Sequence, residues 1–354
     1  MSPETRASKN KRGSKSPEAA SELVGVRSIR GALAELELQL AEPERRAFRV
    51  WQTGFEPLDE AIGGGIRDGA LVLLAGVPSV GKTSCALQMA RNIARVPNTT
   101  AVYLCFEHEA NDLLVRLLAM EGRLANPAIR DPLEQSDVRR LLGIAIKEGK
   151  TDLDSLGQLD HRLASAMKRV DAYSDRLYLG DSSTNVTTIE AIDRLVDDVL
   201  QSTGNSVVLF VDYLQKLRRD ASDDDDADDI VEHLKGLALD RRIGVVAISA
   251  LDESGLRASR LQTFHLLGGP VLAYEADAII MLEEKSERIS RVGFEYSPQK
   301  LASLRDQVVF SVIKNRSGRD LFNLEFEKRF AWSCFNPIGS QVTDPLVDDK
   351  QYRE

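Results

Sequence analysis

The feature that most constrains this chain is the stretch LLAGVPSVGKTSCALQMA, which spans residues 73–90. It contains the pattern G-x-x-x-x-G-K-[ST] between an apolar run and an apolar pattern of helical spacing. A glycine-rich loop in this context joins a buried strand to a helix N-terminus, where backbone N–H groups bind phosphate. The stretch therefore predicts an α/β fold that binds a nucleoside triphosphate.

The loop also carries the side chains that a triphosphate and its metal ion require. Lys82 is placed to reach the β- and γ-phosphate oxygens, and the Thr83 hydroxyl is placed to bind Mg²⁺. The cofactors predicted from the motif are therefore ATP and Mg²⁺. The predicted nucleotide-binding residues are Gly76, Val77, Pro78, Ser79, Val80, Gly81, Lys82, Thr83 and Ser84.

Two further apolar runs lead into acidic residues. Asp212 ends SVVLFVD, as expected of the carboxylate that supports the magnesium ion. Glu107 follows TAVYLCF, at the carboxyl edge of the predicted parallel sheet, where ligands bind. It is a candidate for activating the attacking water, with an exposed loop carboxylate as an equal alternative. Glu109 is the less favoured candidate, and His108 is predicted to be a loop residue rather than a catalyst.

Short apolar runs alternate with helical patterns from Thr53 onward, which predicts a mainly parallel sheet covered by helices on both faces. The predicted strands cover residues 70–76, 100–106, 176–181, 206–212, 244–250 and 278–282. After them, residues 307–335 alternate between strand and turn patterns, so we expect an antiparallel extension at one edge of the sheet.

The segments around these strands have distinct patterns. Residues 126–175 are predicted to be helical, a capping box from Thr187 to Glu190 predicts the start of a covering helix, and 283–300 is predicted to be a polar surface loop. The predicted division is a disordered basic tail over 1–27, a linker helix region over 28–48, an ATPase domain over 49–337 and a C-terminal tail over 338–354. In the helix region, one face carries Ile29, Leu33, Leu36 and Leu40.

Composition excludes few function classes. A formal net charge of -9 does not indicate a protein that coats nucleic acid by bulk charge, although a ring can keep basic residues in a central channel. The sequence has no long uncharged apolar run, which predicts a cytoplasmic protein that does not enter a membrane. Cys85, Cys105 and Cys334 lack CxxC spacing and are predicted to be buried thiols.

Two cations stand close together in VIKNRSG. Lys314 and Arg316 are separated by one residue at the end of a predicted strand, so their side chains share a face. They belong either to a solvated turn or to a subunit boundary. In the second case Arg316 would act as an arginine finger on bound nucleotide.

Four blocks of the sequence resemble the ATPase domain of the bacterial replicative helicase DnaB and its RecA-like relatives. The blocks are TGFEPLDEAIGGGIRDGALVLLAGVPSVGKTSCALQMARNIA, AVYLCFEHEANDLLVRLLAMEGRL, DYLQKL and IKNRSG, in that order between Thr53 and Phe335. The resemblance implies a RecA-like P-loop fold with a C-terminal antiparallel extension. It also implies a homo-hexameric ring that holds ATP at subunit interfaces.

The resemblance assigns roles to individual residues. Lys82 and Thr83 would bind phosphate and magnesium, Glu107 would activate water, and Asp212 would support the metal. Lys314 and Arg316 would act on the nucleotide of the neighbouring subunit. The helix near residues 28–42 would correspond to the linker helix that packs on a neighbour in this family.

The chain departs from the family pattern in three places. Ala250 stands where the family usually has a glutamine that senses ATP and DNA, so the coupling of hydrolysis to DNA is expected to be altered. The sequence before residue 45 is too short for the N-terminal domain through which these helicases engage primase, so a stand-alone replicative role is not expected. The acidic tract DASDDDDADD over 220–229 is expected to be a solvated loop, a nucleic-acid mimic or a docking site for a basic partner.

The candidate nucleic-acid contacts lie in two segments that the family uses as channel loops. They are Lys216, Arg218, Arg219, Arg257 and Arg260. The favoured function is an ATP-hydrolysing ring motor that translocates on or unwinds single-stranded DNA, with a replication or repair partner unidentified. The alternatives are a regulatory or scaffold ATPase of the RecA and KaiC type, and a nucleotide-binding module that turns over little.

Overall fold

The computed structural model describes residues 28–41, 48–126, 128–181, 187–218, 227–289, 304–344 and 346. Contacts between residues divide the chain into two units, 1–47 and 48–354. The predicted basic tail over 1–27 lies outside the described residues.

The first unit contains helix α1, Ile29–Ala41. The helix begins after Ser28, whose hydroxyl accepts a hydrogen bond from the Gly31 N–H (3.1 Å), as a capping serine does. Leu33 and Leu40 are 56% and 74% exposed. A helix is therefore present in the region where the apolar spacing predicts one.

The second unit is built on a long mixed sheet. Its strands are β1 Val50–Trp51, β2 Ile66–Arg67, β3 Leu71–Gly76, β4 Thr99–Cys105, β5 Leu177–Asp181, β6 Ser206–Asp212, β7 Gly244–Ser249, β8 Ala278–Glu284, β9 Gln307–Asn315, β10 Phe322–Arg329, β11 Cys334–Phe335 and β12 Ser340–Gln341. The order across the main sheet is β5-β4-β6-β7-β3-β8-β9-β10-β11, with β12 paired to β10. Strands β1 and β2 form a separate antiparallel pair.

The direction of the strands changes at β8. The pairs from β5 to β8 are parallel, and the pairs from β8 to β11 are antiparallel. The mainly parallel sheet and its antiparallel C-terminal extension are therefore confirmed. Because β3, β7, β6 and β4 are consecutive neighbours, their carboxyl ends form one edge, and the segments that follow them lie side by side.

Helices cover both faces of the sheet. The helices of this unit are α2 Glu56–Ala61, α3 Lys82–Ala94, α4 Ala110–Leu124, α5 Gln135–Lys147, α6 Leu153–Gly157, α7 His161–Asp171, α8 Ile189–Thr203, α9 Ala227–Arg241, α10 Glu253–Arg257, α11 Pro270–Glu275 and α12 Lys285–Arg288. Short 3₁₀ turns occupy Leu214–Lys216, Thr263–His265 and Phe330–Trp332. Helices α5 to α7 confirm the helical prediction for 126–175.

The apolar core has two layers and a satellite. One layer lies between α3 and one face of the sheet, continues over the antiparallel strands, and includes Leu87 and Phe310. The other packs α8 and α9 against the opposite face, and it includes Val196 and Leu234. A third cluster joins α4 to α5, α6 and α7. Strands β3, β4 and β6 are buried along their whole length, as expected of parallel strands with helices on both faces.

The predicted capping box of α8 is displaced by one residue. The cap is Thr188 rather than Thr187, and its side chain accepts a hydrogen bond from the Ala191 N–H (3.3 Å). Capping requires an extended backbone at the capping residue, which Thr188 has (φ −90°, ψ 166°). The capping-box spacing favoured Thr187, which Glu190 follows by three residues, but the backbone conformation makes Thr188 the cap.

The prediction of a surface loop over 283–300 is wrong for its first part. Strand β8 continues to Glu284, and Glu283, Lys285 and Arg288 are buried. Their charges are paired: Arg288 contacts Glu283 (3.1 Å), and Lys285 contacts Asp344 (2.8 Å) and Glu325. Charged side chains are buried only when paired in this way, and the partners lie on distant segments. Residues 290–303 lie outside the described part of the chain.

The acidic tract is also not a loop over its whole predicted length. Helix α9 begins at Ala227, so Asp228 and Asp229 belong to its first turn. The helix dipole is positive at this end, which favours the nearby carboxylate of Asp229. The remainder of the predicted loop, residues 220–226, lies outside the described residues.

Cys85, Cys105 and Cys334 are buried free thiols, as predicted. Burial raises the pKa of Cys105 to about 11 and that of Cys334 to about 12. Within the part of the chain that the structure describes, no helix has the length and apolar character needed to cross a membrane.

Candidate active site

The loop between β3 and α3 is shaped by residues with positive φ. Gly76 ends β3 with φ +152°, Ser79 has φ +64°, and Gly81 precedes α3 with φ +101°. A Cβ atom on Gly76 would lie 2.3 Å from the Leu282 carbonyl oxygen of neighbouring β8. One on Gly81 would lie 2.7 Å from the Phe330 ring. Both glycines are therefore required by backbone conformation and by close approach.

Lys82 and Thr83 occupy the first turn of α3. The Lys82 ammonium donates hydrogen bonds to the carbonyl oxygens of Gly76 and Val77, both at 2.9 Å, so its side chain folds back over the loop. Burial lowers the pKa of Lys82, although the charges of Asp212 and Glu107 oppose this shift. The three ionisable groups predicted from separate parts of the sequence therefore act on one another.

Asp212 is the last residue of β6 and is 2% exposed. Its carboxylate accepts hydrogen bonds from the Tyr103 hydroxyl (2.9 Å) and from the Thr83 side chain. Burial raises the pKa of Asp212, whereas the hydrogen bonds from Thr83 and Tyr103 oppose the rise. A hydroxyl and a carboxylate in contact form an oxygen donor set that suits Mg²⁺, which is usually held by one or two such ligands together with phosphate.

The loop, Glu107 and Asp212 line one cleft at the carboxyl edge of the sheet, with a volume of about 670 Å³. Glu107 is exposed within it. The P-loop residues that line the cleft are Gly76, Pro78, Ser79, Gly81, Lys82, Thr83 and Ser84. The structure thus gathers the predicted phosphate-binding, metal-binding and water-activating groups in one place.

A hydrogen-bonded arginine–histidine pair on the cleft wall was not predicted. The Arg116 guanidinium donates to His108 Nε2 (3.0 Å), and both residues line the cleft. Because arginine only donates hydrogen bonds, His108 Nε2 accepts and its ring is neutral. Burial and the Arg116 charge lower the pKa of His108. His108 lies in a loop, as predicted, but it faces the cleft. The available sequence signal for Arg116 was a single cation within the apolar run LLVRLL.

Another pair on the cleft wall gave no sequence signal. Gln135 Nε2 donates to the Phe330 carbonyl oxygen (2.7 Å), although 195 positions separate the two residues. Both line the cleft, so an aromatic ring and an amide stand at its margin.

A family model described as the DnaB-like helicase C terminal domain matches residues 51–332. The match covers most of the chain and includes the P-loop, Glu107 and Asp212. The chain belongs to this family.

The DnaB-like chain also resembles longer helicases. It is 25% identical over 253 residues to a "Probable replicative DNA helicase" of Guillardia theta, covering 71% of the chain and 37% of that protein. It is 28% identical over 207 residues to the replicative DNA helicase DnaB of Geobacillus stearothermophilus, covering 57% of the chain and 39% of that protein. The chain therefore spans well under half the length of these relatives.

The fold of this DnaB-like domain is shared with a solved structure of a DnaB-like replicative helicase, described together with its interactions with primase. The two superpose with a TM-score of 0.65 at 20% identity, covering 90% of this chain and 70% of the other. A solved ATPase domain superposes with the same TM-score and identity, covering 88% of this chain and 98% of that one. The RecA-like fold and the resemblance to DnaB-type helicases are confirmed. The family match favours the helicase interpretation over the scaffold ATPase of the RecA and KaiC type.

In this DnaB-like domain, Lys314 and Arg316 lie outside the cleft. Lys314 Nζ donates to the carbonyl oxygens of Ala273 and of Tyr274 (3.1 Å). Arg316 donates to the same Tyr274 carbonyl and contacts Asp277 (3.5 Å). The two cations project together, as predicted, and both hold the C-terminal end of α11.

The predicted DNA contacts of the DnaB-like domain are not gathered at the cleft. Lys216 lies over the Tyr213 ring (5.6 Å), and Arg218 is exposed. Arg257 pairs with Glu253 (2.6 Å), with both side chains 79% exposed. Arg260 is half-buried. Burial raises the pKa of nearby Glu283, and the charge of Arg260 opposes that rise. Arg219 lies outside the described residues.

Replacing Gly76 by alanine should destabilise the DnaB-like domain by about 3 kcal/mol, because the new Cβ meets backbone rather than a movable side chain. Gly143→Ala is the matched control, since it lies in α5 with no atom within 4 Å of the new Cβ. It should stabilise the protein by about 0.5–1 kcal/mol. Urea unfolding of both variants measures the difference, and similar small changes would contradict the role assigned to Gly76.

Proposed function

We propose that the chain hydrolyses ATP within a homo-hexameric ring and couples hydrolysis to translocation along, or unwinding of, single-stranded DNA. The observation that carries the proposal is the cleft that brings Lys82, Glu107 and Asp212 together. Membership in the DnaB-like helicase family supports the choice of DNA as the partner. The relatives named replicative DNA helicase support it further.

The P-loop binds the triphosphate of the substrate ATP. Its backbone N–H groups and the N-terminus of α3 point toward bound phosphate, as such loops do. The Lys82 ammonium donates hydrogen bonds to the carbonyl oxygens of Gly76 and Val77. When a nucleotide binds in the loop, this ammonium would pair with the β- and γ-phosphates. The aromatic ring of Phe330, at the margin of the cleft, offers an apolar surface for the nucleobase.

Glu107 is the proposed general base. A water molecule attacks the γ-phosphorus, the bond to the β–γ bridging oxygen breaks, and the proton of the water passes to the Glu107 carboxylate. The exposure of Glu107 within the cleft keeps this carboxylate accessible to water. Arg116 and His108 line the wall next to it.

Thr83 and Asp212 would hold the magnesium ion, which neutralises charge that develops on the phosphates. Tyr103 fixes the Asp212 carboxylate by donating a hydrogen bond to it, and Tyr103 is itself fully buried. The protein therefore supplies a metal ligand whose orientation is set before the nucleotide arrives.

The ring is proposed because Lys314 and Arg316 lie outside the cleft of their own chain. In a head-to-tail ring, a surface group of one subunit can reach the site of the next. Arg316 is 46% exposed, so a neighbouring phosphate can compete with its contacts to Tyr274 and Asp277. Arg316 would then stabilise the charge of the transition state, with Lys314 beside it.

The DNA contacts are proposed for the segments that follow β6 and β7. Both strands end at the carboxyl edge of the sheet, where Lys216 and Arg218 follow one strand and Arg257 and Arg260 follow the other. Arg219, outside the described residues, belongs to the first segment. Phosphate contacts of this kind give affinity that depends strongly on salt.

Steady-state ATPase activity with and without single-stranded DNA tests the proposal. We expect DNA to raise kcat, and we expect Lys82→Ala to abolish activity in both conditions. The Arg257→Ala/Arg260→Ala double variant should reduce the slope of log affinity against log salt by about 1.4, because about 0.7 is lost per phosphate contact. Arg139→Ala/Arg140→Ala, on α5, is the matched control. If single-stranded DNA leaves ATPase activity unchanged at low salt, the proposed DNA motor is wrong, and a ring ATPase that acts on another substrate is indicated.

A further inference from the structure

Gln215 makes an unusual set of contacts just after the Asp212 strand. Its Nε2 donates to Ser249 Oγ (2.9 Å) and to the Leu267 carbonyl oxygen (2.7 Å). Its Oε1 accepts from the Ala250 N–H (3.0 Å). Both ends of one amide are therefore engaged, and the partners lie on segments far from Gln215 in sequence.

The first partners belong to the nucleotide cleft. Ser249 ends β7, Ala250 follows it, and both residues line the cleft together with Asp212. The Ala250 side chain is a methyl group, so it offers no hydrogen bond to a nucleotide. The polar groups at this point of the wall are the Ser249 hydroxyl and the Ala250 backbone, and Gln215 contacts both.

The third partner of Gln215, Leu267, lies at the base of a surface loop. Leu267 N–H donates to the Ala250 carbonyl (2.9 Å), and Asp252 N–H donates to the His265 carbonyl (2.9 Å). These bonds close residues 252–266 into a loop whose two ends lie side by side. We call it the Arg loop, because it carries Arg257 and Arg260.

Gln215 is also held rigidly to the metal-binding strand. It lies in the 3₁₀ turn Leu214–Lys216, which starts two residues after Asp212. Leu214 and Leu217, on either side of it, are buried. The turn is therefore anchored in the core, so a displacement of the end of β6 would also displace the Gln215 amide.

From these contacts we propose that Gln215 is a positioning residue that couples the nucleotide cleft to the Arg loop. When bound nucleotide moves the end of β6 or β7, the hydrogen bonds of the Gln215 amide change. This change shifts the base of the Arg loop at Leu267. The inference rests on the proposed function in assigning DNA to the Arg loop. The coupling itself needs only nucleotide and the loop, so it can be tested separately.

Gln215→Glu is the decisive variant. It keeps the length of the side chain and the acceptor toward the Ala250 N–H. A carboxylate cannot donate, so both donated hydrogen bonds are lost, and it is repelled by the Leu267 carbonyl oxygen. Gln215→Met removes all polar contacts at similar length. Gln201→Glu, on an exposed position of α8, is the matched control for the added charge.

The first readout is ATPase activity. In Gln215→Glu we expect kcat and KM without DNA to stay within about twofold of the parent, while stimulation by single-stranded DNA falls at least about fivefold, the low end of typical coupling factors. If basal kcat, DNA-stimulated kcat and the unfolding temperature of Gln215→Glu all fell together, Gln215 would have a structural role and the proposal would be overturned. Unchanged stimulation would also overturn it.

The second readout does not involve DNA. Hydrogen exchange of the Arg loop is measured with and without Mg²⁺ and a non-hydrolysable ATP analogue. We expect the analogue to change exchange of the loop in the parent and Gln201→Glu proteins but not in Gln215→Glu or Gln215→Met. If DNA has no effect on the parent while this pattern holds, the motor is wrong and the coupling stands. Equal responses in all proteins, or no response in the parent, would overturn the coupling.

Discussion

Replacement of Glu107 by glutamine should lower the ATPase kcat by about 10²- to 10⁴-fold, the range expected for loss of a general base. Glutamine keeps the size of the side chain but cannot accept the proton of the attacking water. Nucleotide affinity should change little, because Lys82 and the P-loop backbone remain intact. Steady-state kinetics and binding of a fluorescent ATP analogue measure the two effects separately.

Glu109→Gln is the matched control for this prediction. It lies two residues further along, is exposed, and precedes helix α4. Because Glu109 does not line the cleft, kcat should stay close to that of the parent protein. An equal loss in both variants would mean that the negative charge of the segment matters and that Glu107 is not the base. A normal kcat in Glu107→Gln would mean that the general base is another group on the cleft wall.

Replacement of Arg316 by alanine should lower kcat by about 10³- to 10⁵-fold, the contribution of an arginine finger. The fold should survive, because Lys314 still holds the Tyr274 carbonyl and Lys235 still pairs with Asp277 (2.7 Å). Arg319→Ala, at an exposed position in the same turn, is the control and should have little effect. Circular dichroism and the unfolding temperature establish that both variants are folded.

Mixing experiments decide whether Arg316 acts on its own chain or on a neighbour. Lys82→Ala and Arg316→Ala proteins should each be inactive, yet an equal mixture should recover activity. In mixed rings, about a quarter of interfaces combine the intact cleft of one variant with the intact Arg316 of the other. If no activity is recovered under conditions where subunits exchange, Arg316 acts only within its own subunit. The main argument for active sites shared between subunits would then be lost.

The position and backbone shape of the glycine-rich loop were predictable because its determinants are consecutive in sequence. Residues 76–84 contain the glycines with positive φ, the lysine and the threonine, and an apolar strand and a helix fix their context. The positions of Asp212 and Glu107 were predictable for a related reason. Parallel strands place their carboxyl ends at one edge, so acidic residues that follow two such strands lie at the same edge of the sheet.

Boundaries and charged segments were less predictable. The α8 cap falls on Thr188 rather than Thr187 because backbone conformation, and not residue type, selects the cap. Glu283 and Lys285 were assigned to a surface loop because charged residues are usually exposed. Their burial depends on Arg288, Asp344 and Glu325, whose approach is set by the pairing of β8, β9 and β10.

The sequence by itself determined the α/β class, the glycine-rich loop over residues 76–84 and the acidic residues at the edge of the sheet, because apolar periodicity and a contiguous motif are local properties. Only the tertiary structure decided which distant side chains meet at the cleft. Arg116 with His108, Gln135 with Phe330, and Gln215 with Ser249, Ala250 and Leu267 are such contacts. The order of strands across the sheet creates them, and no local pattern encodes that order.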